Sequence, residues 1–294
     1  MAEEVNPKWA GVGSKYAHLT SVHPCFGIKA HFKAARIHLP VAPRCNIQCK
    51  YCIRSINKCE FRPGVAACIS KSDQAMKRLE AEVKSNPDLK VVGIAGPGDS
   101  LANHETFKTL TMVKERYPQL IACLSTNGLL AEEKADELSR IGVKTVTITM
   151  NAVDPRVGAK IYDYVTYNGV TLRGEEGAKL LIEKQLRGIE ALVNKGIVVR
   201  INTVLIPAIN AGEIEKIAAE AAKRGASLMN IIPLIPLHDL KDQRGPSCKE
   251  LEAARAAAEK YLPQFRLCRQ CRADACGIPG LEKVDHGASE YFHG

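Results

Sequence analysis

With 294 residues, 46% of them hydrophobic and 25% charged, the chain can build a sizeable core, which excludes an intrinsically disordered protein and a small disulfide scaffold. The formal charge of +9 suggests an acidic partner or an anionic ligand; aromatics at 5% and dispersed basic residues offer no base-stacking surface, so nucleic acid is not expected. No apolar run approaches the roughly 20 residues of a membrane span, and MAEEVNPKWAGVGSKY has no signal core, so no membrane is expected and the location read is cytoplasmic.

In chain order, β-branched apolar runs predict strands over 36–42 (RIHLPVA), 91–95 (VVGIA), 121–126 (IACLST), 145–150 (TVTITM), 198–206 (VVRINTVLI) and 228–235 (LMNIIPLI). Their near-continuous hydrophobicity fits strands covered on both faces of a parallel sheet. Amphipathic helices are predicted over 74–84, 131–140, 176–193 and 211–223. Gly142, Gly196 and Gly225 stand between a helix and the next strand, where a left-handed cap is expected. Repeated βα units make an α/β fold, either an open sheet or a partial barrel. Both collect ligands beyond the carboxyl ends of the strands.

Those ends are rich in chemistry. The first strand is followed by Cys45, Cys49 and Cys52 in RCNIQCKYC, the second by Gly96-Pro97-Gly98-Asp99, the third by Asn127 and Gly128, and the fourth by Asn151. Disulfides are rare in a reducing compartment and the cysteine count of 11 is odd, so clustered thiols read as metal ligands or reactive groups. Three thiols on one loop suit a cubane iron–sulfur cluster held at three irons, with the fourth iron open to a reagent. A zinc site completed by a second pair elsewhere is the alternative. Cys268 and Cys271 form a further C-x2-C pair, flanked by Arg266, Arg269 and Arg272, which favour thiolates.

CxxxCxxC after the first strand of a βα repeat, with Tyr51 before the third cysteine, resembles the radical S-adenosylmethionine (SAM) superfamily. HPC at 23–25, EFRP at 60–63, AGPGD at 95–99, TNG at 126–128 and CRQCRADACG at 268–277 occur in that order. Together they resemble the branch of the superfamily that builds the iron–sulfur–carbide precursor of the nitrogenase cofactor. The resemblance implies a partial (βα)6 barrel over 35–240. It adds an N-terminal extension over 1–34 with a cluster ligand and a C-terminal extension over 241–294 with the CxxC ligands, both over the open rim, and no appended cofactor-carrier domain.

The same resemblance implies that Cys45, Cys49 and Cys52 hold a [4Fe-4S] cluster whose open iron chelates SAM. Tyr51, Gly96, Gly98, Asp99, Asn127 and Asn151 are the matched SAM-side positions, Asp99 standing where a Glu is commoner; outside the resemblance, Asn127 and Asn151 read as helix caps or turn formers. Two auxiliary [4Fe-4S] clusters are implied as substrates, with Cys25, Cys59, Cys123, Cys268 and Cys271 as ligands. Apart from the resemblance, Cys123 reads as a small buried hydrophobe. A histidine ligand is implied and matched to His38, with His23 as competitor and a hydrogen-bonded core histidine as the alternative. Glu60 reads either as a transient ligand or proton acceptor, or as a plain partner of Arg62; Cys68, Cys248 and Cys276 read as structural thiols.

The reaction implied is fusion of the auxiliary clusters around a SAM-derived carbide, with one added sulfur. Expected partners are an iron–sulfur cluster donor, an acidic electron carrier of ferredoxin or flavodoxin type, and a downstream cofactor carrier or scaffold. The competing readings are a radical SAM enzyme with auxiliary clusters that modifies a peptide or small molecule, and a non-catalytic iron–sulfur scaffold.

Overall fold

The computed structural model describes residues 17–281. Two one-turn helices, α1 (Ala17–Thr20) and α2 (Ile28–His31), lead into β1 (Ala35–His38). This strand stops short of the predicted residue 42 because Pro40 and Pro43 cannot donate to a ladder; Ala42 forms only an isolated bridge to Pro97. A long excursion follows, carrying β2 (Ile47–Cys49), β3 (Ser55–Ile56) and β4 (Val65–Ala66).

Regular units come next: α3 (Ser72–Ser85), β5 (Leu89–Ile94), α4 (His104–Arg116), β6 (Ile121–Thr126), α5 (Ala131–Arg140) and β7 (Val143–Thr149). Then come α6 (Pro155–Ile161), the hairpin β8 (Tyr162–Tyr167) and β9 (Val170–Arg173), α7 (Gly174–Asn194) and β10 (Val198–Leu205). The last elements are α8 (Pro207–Asn210), α9 (Ile214–Lys223), β11 (Leu228–Pro233), α10 (Cys248–Glu259) and β12 (Cys276–Gly277). α5 carries Glu132 and Glu133 in its first turn and Arg140 in its last, the order the helix dipole favours. Ser247 and Glu250 close a reciprocal capping box on α10. Gly196 (φ +73°) and Gly225 (φ +88°) end α7 and α9 as expected; Ile197 N and Ala226 N reach back to Leu192 O and Ala221 O, which satisfies carbonyls the helix leaves open.

The main sheet runs β11-β10-β7-β6-β5-β1-β12, parallel throughout except for β12, which lies antiparallel to β1. Each parallel strand is laid beside its predecessor in the same direction, with no reversal of order. That is barrel-type winding rather than the doubly wound kind. His38 on β1 and Ile232 on β11, well separated in the sheet order, line one cavity, so the sheet curves around it as a partial barrel. The outer face is apolar: Ile37, Val92, Leu124, Val146 and Ile201 meet Leu79, Leu110, Leu138, Leu192 and Ile217 of the helices, all at 1% exposure or less. Each such side chain contributes about 1.5–3 kcal/mol by leaving water.

The inner face departs from the expected continuous hydrophobicity. It carries His38, Cys123, Ser125, Thr145, Thr147, Thr149, Arg200 and Asn202, which alternate with the outer apolar residues at the strand period of two. A half-barrel with this lining presents imidazole, thiol, hydroxyl and guanidinium groups to its cavity.

Candidate functional site

The inner face, the carboxyl ends of the strands and both terminal segments enclose a cavity of about 310 Å3. RCNIQCKYC forms part of its wall, and its shape is imposed by its neighbours. On one side β2 pairs antiparallel with β8, placing Cys49 opposite Tyr162, and Lys50 N donates to Ile161 O at 2.8 Å. On the other side Gly98 N donates to Ala42 O at 2.7 Å and Asp99 N to Arg44 O at 2.9 Å. A Cβ on Gly98 would lie 2.3 Å from Arg44 O, so only glycine permits this approach. Inside the loop, Gln48 Nε2 donates to the carbonyls of Cys49 and Cys52, both at 2.8 Å, and Arg54 holds Gln48 Oε1 at 3.0 Å.

The three thiols line the cavity together. Burial pushes the Cys45 thiol up to about 11, with the Asp99 carboxylate adding to the effect. Burial also raises Cys49 well above its usual range, and raises Cys52 against the pull of Arg54 and Arg62. Thiols raised in this way keep their protons unless a cation takes the proton's place, and iron is such a cation. Among the described residues no three Cys, His, Asp or Glu side chains close on one point as the ligands of a single ion would. Three half-buried thiols that line the cavity on a loop pinned from both sides fit a cluster that meets each thiol at its own iron.

The SAM-side positions divide into wall and support. Asp99, 4% exposed, accepts from Thr126 Oγ1 at 2.9 Å, Asn127 N at 2.6 Å and Leu101 N at 2.9 Å. Burial still raises its pKa, with these donors opposing. It ties the β5 turn to the end of β6. Asn127 Nδ2 donates to Asn46 Oδ1 at 2.6 Å and lies 3.8 Å from Cys45 Sγ. Gly98, Asp99, Asn127 and Tyr51 are on the cavity wall, whereas Gly96 and Asn151 stand behind it. Asn151 is fully buried; its Nδ2 donates to Tyr51 Oη at 2.9 Å and its Oδ1 accepts from Val204 N at 2.9 Å, so it anchors Tyr51 to β10.

Across the cavity the structure brings together Cys25, His38, Cys123, Cys268 and Cys271, with His23 beside them. Gly93 separates His38 and Cys123 on adjacent strands; a Cβ there would lie 2.9 Å from Cys123 Sγ and 3.1 Å from His38 Cδ2. Its absence lets both side chains close over the strand.

The two histidines differ in tautomer. His38 Nδ1 lies 3.0 Å from Arg272 O, which can only accept, so the proton is on Nδ1 and Nε2 keeps a lone pair. His23 Nδ1 accepts from Cys25 N at 3.1 Å, so its proton is on Nε2, facing Thr145 Oγ1 at 3.4 Å. Burial, helped by neighbouring arginines, lowers His38 to about 4 and His23 to about 3, and both are neutral near pH 7. Of the pair, His38 has the free lone pair that a metal requires.

Cys59 and Glu60 are not brought to the cavity. Both are exposed on a rim loop, their backbone N–H groups bonded to Asn57 Oδ1 at 3.0 and 2.9 Å, and Glu60 pairs with Arg62. Arg272, next to Cys271, tethers this loop through Asn57 O at 2.9 Å. Cys68 and Cys248 are exposed and Cys276 is half-buried on β12.

Sequence reasoning missed Thr145, Thr147, Thr149, Arg200 and Asn202 of the wall, although the alternation in TVTITM and VVRINTV carried that signal. It also missed the β8–β9 hairpin that clamps β2. Its mark is Asn168-Gly169, at φ 49° and 79°, between two β-rich stretches.

A three-cysteine loop beyond the first strand of a singly wound half-barrel defines a class of protein. The Radical SAM superfamily model matches residues 39–221, and the chain belongs to that superfamily. The crystal structure of methylornithine synthase (PylB) shares the fold at a TM-score of 0.51 and 9% identity, over 87% of this chain and 78% of that one. The FeMo cofactor biosynthesis protein NifB of Methanocaldococcus jannaschii is 52% identical over 273 residues, covering 92% of this chain and 91% of the relative. The NifB of Bradyrhizobium diazoefficiens is 45% identical over 269 residues, covering 89% of this chain and 54% of the longer relative. Within the superfamily, the chain is a member of the NifB family. Among the described residues no helix is long and apolar enough to cross a membrane.

Proposed function

We propose that this chain builds the eight-iron, carbide-centred precursor of the nitrogenase cofactor by joining two four-iron clusters with carbon from SAM and one added sulfur. Convergence carries the reading: Cys25 from the N-terminal segment, His38 from β1, Cys123 from β6, and Cys268 and Cys271 from the C-terminal segment line the same cavity as Cys45, Cys49 and Cys52. This second set of thiols and an imidazole opposite the SAM loop offers ligands for clusters within reach of a SAM-derived radical. The name carried by the relatives, FeMo cofactor biosynthesis protein, agrees with this product class.

A four-iron cluster on Cys45, Cys49 and Cys52 would supply the electron for reductive cleavage of SAM. The protein's own contribution is placement and exclusion of water. Tyr51, Gly98, Asp99 and Asn127 shape the SAM end, supported from behind by Gly96 and Asn151. The opposite thiols hold the substrate clusters, and the neutral Nε2 of His38 is a weaker ligand than thiolate, suited to a cluster that is consumed. Cys59 and Glu60, exposed on the rim loop, stand outside this set of cavity ligands. The +9 charge favours an acidic electron carrier, and substrate and product imply a cluster donor and a downstream carrier. We place this chemistry in the cytoplasm.

The test is anaerobic turnover with SAM labelled in its methyl carbon. Label is expected in an acid-labile iron–sulfur product. Label found only in organic products overturns the reading and favours the peptide or small-molecule alternative.

A further inference from the structure

Arg200 lies on the inner face of β10 and is 8% exposed. Its Nε donates to Thr147 Oγ1 at 3.2 Å and its Nη1 to Cys25 O at 2.8 Å, while the Phe26 ring centre is 5.4 Å from the guanidinium carbon. All these partners are neutral. Among the described residues no carboxylate forms an ion pair with it. A buried guanidinium is costly to desolvate unless a counter-charge faces it, so the cavity it lines suits an anionic occupant. Cys25 and Arg200 line the same wall of the cavity, joined through the Cys25 carbonyl. A second arginine repeats the arrangement on the C-terminal ligands, with Arg36 Nη2 donating to Cys271 Sγ at 3.2 Å.

A four-iron cubane held by thiolates is anionic, and reduction adds another negative charge. N–H groups and positive charge near its sulfurs favour the reduced state and raise the potential. We infer that Arg200 is a positioning residue for a substrate cluster: its guanidinium is the counter-cation of the cluster bound at Cys25, retaining it and setting its reduction potential. This rests on the substrate reading above. SAM brings the competing anion, its carboxylate.

The experiment compares wild type, Arg200→Gln and Arg200→Lys after anaerobic reconstitution with iron and sulfide. Iron per chain, an EPR-monitored redox titration and the SAM dissociation constant are measured for each. In Arg200→Gln, one auxiliary cluster is expected to become harder to reduce by about tenfold or more in its equilibrium constant, about 59 mV for one electron, or to be lost. Arg200→Lys keeps the charge and is expected within about threefold of wild type. SAM affinity is expected to hold within about twofold in both.

Unchanged potentials and iron in Arg200→Gln overturn the inference. So does a tenfold loss of SAM affinity with the auxiliary clusters unmoved, which would assign Arg200 to the SAM carboxylate. Should circular dichroism show Arg200→Gln unfolded, the lysine variant decides: loss of the cluster from a folded Arg200→Lys overturns the charge argument, and retention supports it. A wild-type chain that holds only one cluster overturns the substrate reading and this inference together. Several clusters in wild type with an indifferent Arg200→Gln overturn this inference alone.

Discussion

Replacing Gly98 with alanine asks how far the SAM loop depends on the turn beside it. The new Cβ would lie 2.3 Å from Arg44 O, 2.5 Å from Arg44 C and 2.8 Å from Pro43 O. These are backbone atoms, so no rotamer change relieves the overlap. Arg44 O must retreat by roughly an ångström to reach ordinary contact, as overpacked sites do, although Asp99 N at 2.9 Å and Asn103 Nδ2 at 2.8 Å hold it in place. Each weakened hydrogen bond costs about 0.5–1.5 kcal/mol and the overpacking about 1–3 kcal/mol, together about 2–6 kcal/mol. At about 1.6 °C per kcal/mol for a chain of 294 residues, the melting temperature falls by about 3–10 °C. Cys45 is the next residue, so its thiol leaves position as well. Iron per chain after anaerobic reconstitution and a thermal melt are measured beside Gly212→Ala, whose Cβ meets nothing within 4 Å. Gly98→Ala is expected to melt lower and to lose the iron of the SAM cluster, while Gly212→Ala matches wild type. A Gly98→Ala protein that loads iron and melts like wild type refutes the reasoning.

Gly93→Ala should act differently, because its Cβ meets the Cys123 sulfur, which can rotate away; about 1 kcal/mol of stability is expected to go, with loss of an auxiliary cluster but not of the SAM cluster by Mössbauer count, and a full count would contradict this. His38→Gln is expected to release iron while His23→Gln keeps it, since only His38 presents an unprotonated Nε2; equal iron in both would reverse the tautomer argument. Asn151→Ala strands Val204 N and should cost about 1–3 kcal/mol in a denaturant melt, a loss that Tyr51→Phe, which spares that N–H, does not share. In iron-free protein at pH 8, exposed Cys59, Cys68 and Cys248 should be alkylated first. Cys45 and Cys271, raised to about 11, and Cys123, raised to about 12, hold at least about a hundredfold less thiolate than an ordinary thiol, and peptide mass spectrometry showing them alkylated equally fast would contradict their raised pKa.

Strand and helix placement was legible in the chain because βα units repeat one local pattern: apolar run, amphipathic helix, glycine cap. The predicted and observed limits of β6 and α5 coincide, and β1 is cut short only by its prolines. The three-cysteine loop was equally readable, since a cluster needs thiols at close spacing in one segment. Sequence alone left open whether the units wind one way or two. Strand order decided that, and pairing between distant residues is not encoded in any local period. The tautomers of His38 and His23 also waited for the fold. Both stand beside apolar residues in the chain, and only the carbonyl of Arg272, brought back from 234 residues away, fixes which ring nitrogen keeps its lone pair. The same holds for Arg200. In VVRINTV it reads as one polar residue of a strand; the fold sets it on the cavity wall with the Cys25 carbonyl as its partner. Sequence by itself determined which chemistry the chain carries. Tertiary structure decided which groups face one another, because burial, tautomer and charge pairing depend on neighbours that chain order does not supply.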